Sequence, residues 1–225
     1  KLVSEELIDD AVLRVLRLKN SLGLFEDPYK NIDNREENDL LSNKENLELA
    51  RKLTTKTIVL LKNENNILPL NHKQKIALIG PYADNIAILG SWSMFSDKSK
   101  ITILKEAFEA KIGKENVIYT KGSEILEERE INQILQSDGG TMIHTENEEE
   151  KLTQYLKEAK EAAKQADVIV LAIGEHYRQS GEACSRANID ISNIQKRLVN
   201  ELAKLNKKIV AIMFNGRPIV LRDIS

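Results

Sequence analysis

The stretch ADVIVLAIGE, residues Ala166–Glu175, is a run of apolar and β-branched residues that ends at a glycine followed by a charge. A short apolar run bounded in this way reads as a strand buried on both faces, the habit of parallel sheets. We therefore place a strand over Asp167–Ile173. Its neighbours are of the opposite kind: residues 150–166 and 193–205 carry amphipathic helical patterns. The same alternation recurs around it. KIALI (75–79) is a second buried strand, ended by Gly80-Pro81, and KIVAIMF (208–214) also reads as a strand. Residues 102–113 read as a helix and NVIYT (116–120) as a strand. Strands alternating with helices from residue 44 onward predict a layered α/β sandwich with a mainly parallel sheet.

Further out the pattern changes. Residues 4–22 predict a helix, with Ser4, Glu5 and Glu6 as a capped, acidic first turn and Gly23 as its stop. Residues 24–43 carry a proline, many charges and little periodicity, which suits a linker. A helix is expected from about Lys44 to Thr55. The β-branched run Thr57–Leu61 reads as a strand after it. Residues 123–149 are acidic and weakly apolar and read as a partly mobile insertion. Asn215-Gly216-Arg217-Pro218 reads as a turn, and Ile219–Leu221 as the start of another strand. The predicted organisation is thus 1–23, a helix; 24–43, a linker; and 44–225, the α/β domain.

Composition narrows the partners. The chain has 225 residues, of which 33 are basic and 35 acidic, so there is no basic excess to hold nucleic acid or an anionic membrane. Its longest apolar runs are of strand length, far short of a bilayer span. Its one cysteine, Cys184, excludes an intrachain disulfide and is compatible with a reducing compartment. A cytoplasmic location is favoured on that ground. A periplasmic or secreted one stays open, because the chain reads as an excerpt whose leader would lie elsewhere.

In open sheets of this kind, ligands meet the loops beyond the C-terminal ends of the strands. Three such loops are expected at 80–96, 174–190 and 215–218. The second carries Glu175, His176 and, in Ser180-Gly181-Glu182, another carboxylate. A loop carboxyl beside a polar substrate can work as a general acid or base; taken alone, two loop glutamates are more often ordinary charges. His176 reads as a hydrogen-bonding loop residue, since no Cys/His spacing resembles a zinc site. The first loop carries Gly90-Ser91-Trp92-Ser93-Met94-Phe95, and Trp92, the sole tryptophan, could stack on a sugar face or cover the edge of the core. Gly80-Pro81-Tyr82 has neither phosphate-loop pattern, and Pro81 removes an N–H that a phosphate cradle needs. Arg186 and Arg217 read best as pins for their own loops, bonding Asp190 or backbone carbonyls.

Taken in order, several segments resemble glycoside hydrolase family 3, the β-glucosidase and β-xylosidase type, and its bacterial periplasmic members above all. They are IDDAVLRVLRLKNSLGLFEDPY (8–29), LARKLTTKTIVLLKNENNILPL (49–70), KIALIGPYADN (75–85), GSWS (90–93), ADVIVLAIGE (166–175), SGEACSR (180–186) and FNGRP (214–218). The resemblance implies that the helix over 4–22 is the last of a (β/α)8-type barrel. It implies that 44–225 is most of the family's second domain, an α/β sandwich. It also implies a retaining β-glycosidase acting on terminal β-D-glucosyl residues, with no cofactor and no metal.

Within that resemblance the general acid/base falls to Glu182, with Glu175 as runner-up, and Trp92, Phe95 and Ser180 become substrate-binding residues. The nucleophile, an aspartate on the barrel, has no counterpart in this chain. The partners implied are a β-glucoside or β-linked oligosaccharide and the N-terminal barrel domain, so the chain by itself is expected to be inactive. An incomplete sheet edge would favour a homo-oligomer. Two other readings keep the same sheet-end pocket: a non-catalytic carbohydrate-binding module, and a flavodoxin-like nucleotide-binding domain.

Overall fold

The structure, a computed structural model, describes residues 2–30, 32, 43–93, 101–137 and 139–224. The chain divides into two compact units, Lys1–Lys62 and Asn63–Ser225.

The first unit holds helices α1 (Glu5–Ser21) and α2 (Lys44–Thr57). Ser4 stands at the N-cap of α1 with extended backbone, but its hydroxyl makes no capping bond, contrary to the expected capped start. The predicted stop is present. Gly23 takes a φ of +70°, its N–H donates to Asn20 (2.9 Å), and Leu24 N–H donates to Lys19 (3.0 Å). These are the paired bonds of a Schellman end, which needs a residue tolerant of the left-handed region. The side chain of Asn43 caps α2 by accepting Glu45 N–H at 2.7 Å. The strand expected over 57–61 does not form. Thr57 is the last residue of α2, and Ile58–Leu61 are 64–74 % exposed. β propensity measures fit to a pleated neighbour, and this run has no ladder partner among the described residues.

The second unit contains β1 (Ile76–Ile79), α3 (Leu104–Ile112), β2 (Val117–Thr120), α4 (Glu128–Ser137), α5 (Glu148–Lys164), β3 (Val168–Gly174), α6 (Asn193–Ala203) and β4 (Lys208–Phe214). The strands form one parallel sheet in the order β2-β1-β3-β4. This is the α/β architecture read from the alternating pattern. All seven residues of β3 are buried. Successive side chains of a strand point to opposite faces, and the packing follows that rule. Ala77, Ile79, Ile169, Leu171 and Ile173 meet Ala159, Ala162 and Ala163 of α5 and Leu198, Val199 and Leu202 of α6. Ile76, Leu78, Val168, Val170 and Ala172 face the other way, toward Leu104, Phe108 and Ile112 of α3. Burial of each such aliphatic side chain contributes about 1.5–3 kcal/mol. The sheet is therefore held through its central strands.

Residues 123–149 are not a featureless insertion. Glu128–Ser137 is helical, and its start is capped from α5, where Glu148 accepts the Glu128 N–H at 2.6 Å. Asn132 holds the returning chain by exchanging two 2.8 Å bonds with the backbone of Ile143. The weak apolar pattern missed this because side-chain-to-backbone bonds carry the order. The strand expected at Ile219–Leu221 is reduced to a single bridge between Val220 and Asp190.

Candidate functional site

The sheet order sets the site. The chain leaves β1 toward β2 on one side and later returns to place β3 on the other. The C-terminal ends of β1 and β3 therefore flank the point where the winding reverses, which is where open α/β sheets bind ligands. The loops after β1, β3 and β4 all emerge there and touch one another. Ser91 Oγ donates to the carbonyl of Ser180 (3.2 Å). A Cβ added at Gly181 would lie 2.7 Å from Ser91 Oγ and 3.7 Å from Trp92 Nε1, and one at Gly216 would lie 2.2 Å from Ser180 Oγ. A side chain at 181 or 216 would thus force the Ser91 or Ser180 side chain to move, so these glycines let the loops meet closely. The φ of +116° at Gly181 and +59° at Ala183 adds a sharp reversal that turns the intervening Glu182 outward.

The two glutamates of the β3 loop stand in opposite surroundings. The side chain of Glu175 is 1 % exposed. Its Oε1 accepts Arg186 Nη1 at 3.1 Å and lies 3.2 Å from Arg217 Nε, while its Oε2 accepts the Gly216 N–H at 3.2 Å. The Tyr82 hydroxyl donates to its main-chain carbonyl. Tyr82 stacks on Phe214 with ring centroids 4.9 Å apart. Burial first, and the Glu175 charge second, hold the Tyr82 phenol far above its ordinary range, so it stays a donor. Glu182, seven residues on, is exposed, and its carboxylate makes no hydrogen bond or ion pair among the described residues.

Arg186 pins its own loop, as expected, whereas Arg217 pins not its own loop but the one after β3. Arg186 Nη2 donates to the carbonyl of Asp190 at 2.7 Å. Arg217 Nη2 donates to the carbonyls of Gln179 (2.5 Å) and Cys184 (2.8 Å). His176 is an acceptor: its Nδ1 takes the Arg178 N–H at 3.2 Å and starts a turn over Tyr177–Gln179. Burial, and then the Arg178 charge, push its imidazole down to about 4, so it is neutral near pH 7. Among the described residues no group of three or more His, Cys, Asp or Glu could hold a metal ion. No helix among them is long and apolar enough to cross a membrane.

Of the residues singled out from the sequence, Trp92, Ser180 and Glu182 therefore lie on touching loops, with Trp92 65 % exposed. Glu175 lies beneath them. Phe95 falls outside the described residues. Sequence reasoning passed over Gln195, which is fully buried in α6. Its amide exchanges two 2.8 Å bonds with Gly174 at the end of β3 and donates to Ile125 at 2.8 Å and to Ser192 Oγ at 3.2 Å. A signal was present, since Gln195 occupies the same helical stripe as Leu198, Val199 and Leu202. A lone polar residue on a buried stripe implies buried polar partners.

A cavity of about 260 Å³ beside this site is lined by Glu124, Ile125, Ile131, Lys151 and His176 among others. Its carboxylates are already engaged: Glu124 pairs with Lys121 and Lys151, and Glu128 caps Thr145.

Comparison with known proteins places this arrangement. The chain is 34% identical over 220 residues to a periplasmic β-glucosidase of Salmonella typhimurium, covering 95% of this chain and 28% of that protein. It is 30% identical over 228 residues to a β-xylosidase of Formosa agariphila, covering 97% of this chain and 28% of that protein. The chain thus spans little more than a quarter of the length of these curated relatives. Among solved structures, the β-glucosidase of Listeria innocua in complex with isofagomine superposes with a TM-score of 0.79 at 32% identity, covering 99% of this chain and 27% of that one. A mutant of the same enzyme, solved in complex with laminaribiose, gives 0.78, covering 98% of this chain and 27% of that one. Residues 58–225 match the model of the glycosyl hydrolase family 3 C-terminal domain, and the chain belongs to that family.

Proposed function

We propose that this chain is the acid/base-bearing part of a retaining β-glycosidase acting on terminal β-D-glucosyl residues, with Glu182 as the general acid/base. The observation that carries this reading is the contrast between the two glutamates. Glu175 is buried and paired with two guanidinium groups, so its oxygens are engaged within the protein and closed off from a substrate. Glu182 is exposed and unpartnered among the described residues, on a loop that abuts Trp92. Trp92 offers a flat apolar face for a sugar ring, and Ser180 lines the same junction.

The chemistry needs a second carboxylate, about 5–5.5 Å from the first in a retaining enzyme. That nucleophile is supplied from outside this chain, by an aspartate of the barrel domain. Its oxygen bonds to the anomeric carbon while the protonated Glu182 gives its proton to the departing glycosidic oxygen. The aglycone leaves as an alcohol. The Glu182 carboxylate then takes a proton from water, whose oxygen attacks the anomeric carbon and displaces the aspartate. Relatives named as β-glucosidases and β-xylosidases support the substrate class.

The test is made in the full-length enzyme. Glu182→Ala should slow cellobiose hydrolysis by roughly 10²-fold or more. It should also retain activity on dinitrophenyl β-glucoside that azide accelerates. Normal cellobiose turnover by that variant removes Glu182 from the role. The 225-residue chain by itself should not hydrolyse nitrophenyl β-glucoside.

A further inference from the structure

We infer that Glu175 and Arg217 form a clamp that sets the position of the Glu182 carboxyl, making them positioning residues for the proton transfer; this rests on Glu182 being the acid/base. One atom of Arg217, Nη2, bonds the carbonyls of Gln179 and Cys184. Those carbonyls bracket the segment that contains Ser180, Gly181 and Glu182. A single guanidinium therefore draws the two ends of the acid/base loop together and fixes its width.

Arg217 is in turn held by Glu175, whose Oε1 lies 3.2 Å from its Nε. The same carboxylate binds Arg186, and Arg186 ties down the far end of the loop through Asp190. It also binds the Gly216 N–H, which fixes the turn that presents Arg217. Glu175 itself is immobile, because its amide bonds to Phe214 of β4 (2.8 Å) and its carbonyl to Tyr82. The sheet is thus connected to the acid/base loop through one buried carboxylate and two cations. Arg217 Nε is buried and makes no hydrogen bond among the described residues, so its tie to Glu175 is the attraction of opposite charges, while the Nη2 bonds to the loop carbonyls are direct.

Position matters because a proton is transferred over hydrogen-bond reach, and a small misplacement of the donor costs rate. Loss of the clamp should therefore affect substrates in proportion to their need for acid assistance. A purely structural ion cluster would lower activity on every substrate alike.

The experiment compares Arg217→Met, Arg217→Lys and Glu175→Gln in the full-length enzyme with Glu182→Ala, using methyl β-glucoside and 2,4-dinitrophenyl β-glucoside. For the clamp variants kcat/KM should fall by at least about 30-fold on the methyl glucoside and by less than about 3-fold on the dinitrophenyl glucoside. Arginine meets Glu175 through Nε and the two carbonyls through Nη2, whereas the single nitrogen of a lysine cannot stand at both places, so Arg217→Lys should behave like Arg217→Met. Equal falls on both substrates, no fall on either, or failure of all three variants to fold overturn the inference. If Glu182→Ala discriminates between the substrates and the clamp variants do not, the clamp alone is wrong. If Glu182→Ala does not discriminate, the assignment of Glu182 is wrong.

Discussion

Gly80 leaves β1 at a φ of +131°, and a Cβ there would stand 2.2 Å from the carbonyl oxygen of Ala172 in the neighbouring strand. Both conditions exclude a side chain, and the obstacle is backbone that cannot turn aside. Gly80→Ala should cost more than about 2 kcal/mol, read as a lowered urea midpoint. His176 gives a pH signature. Its imidazole sits at about 4 in the fold against an ordinary value of 6.5. The unfolded chain therefore takes up a proton between those values that the folded chain refuses. Stability from this residue is complete above about pH 6.5 and is lost as the pH falls toward 4, by up to roughly 3 kcal/mol. His176→Gln should flatten that part of a stability–pH curve from denaturant titrations. A curve of unchanged slope would show that His176 is solvated.

At the scale of elements, α6 is docked by more than its apolar stripe. Gln195 copies a strand's bonding edge for Gly174 and also satisfies Ile125, joining α6, the end of β3 and the segment after β2. Gln195→Leu would keep the volume and take a partner from both backbone groups of Gly174, while the Ile125 carbonyl would keep only its bond from Ser192 Oγ. We expect a loss of roughly 3 kcal/mol in equilibrium unfolding, more than for a volume-conserving change at the apolar Leu198. The helix itself was legible from its period, and so were α1, α3 and α5. The docking was less so, because a buried glutamine gives only the hint of one polar residue on an apolar stripe. Ile58–Leu61 is the converse case. Its composition announces a strand, but no neighbouring strand completes it among the described residues, and a ladder cannot be formed by one segment.

For the whole molecule, every buried core residue among the described residues lies at or beyond Ile76, and α1 and α2 bury none of theirs. The second unit should therefore fold without the first. Residues 63–225 expressed separately should unfold cooperatively, with a midpoint within a few degrees of that of the whole chain by circular dichroism. A broad, non-cooperative melt would show that α1 and α2 complete the core. The sequence by itself determined the parallel α/β sheet, since a strand buried on both faces must be apolar along its whole length and the helices between must be amphipathic. It also marked the loops beyond the strands and the residue types in them. What it left undivided were the surroundings of Glu175 and Glu182, seven positions apart in one polar loop. Only the tertiary structure separated them. It closed two arginines, one from the far side of the loop and one from beyond β4, around the first carboxylate and turned the second outward. Ion pairing and exposure depend on neighbours distant in the chain, and no local pattern encodes them.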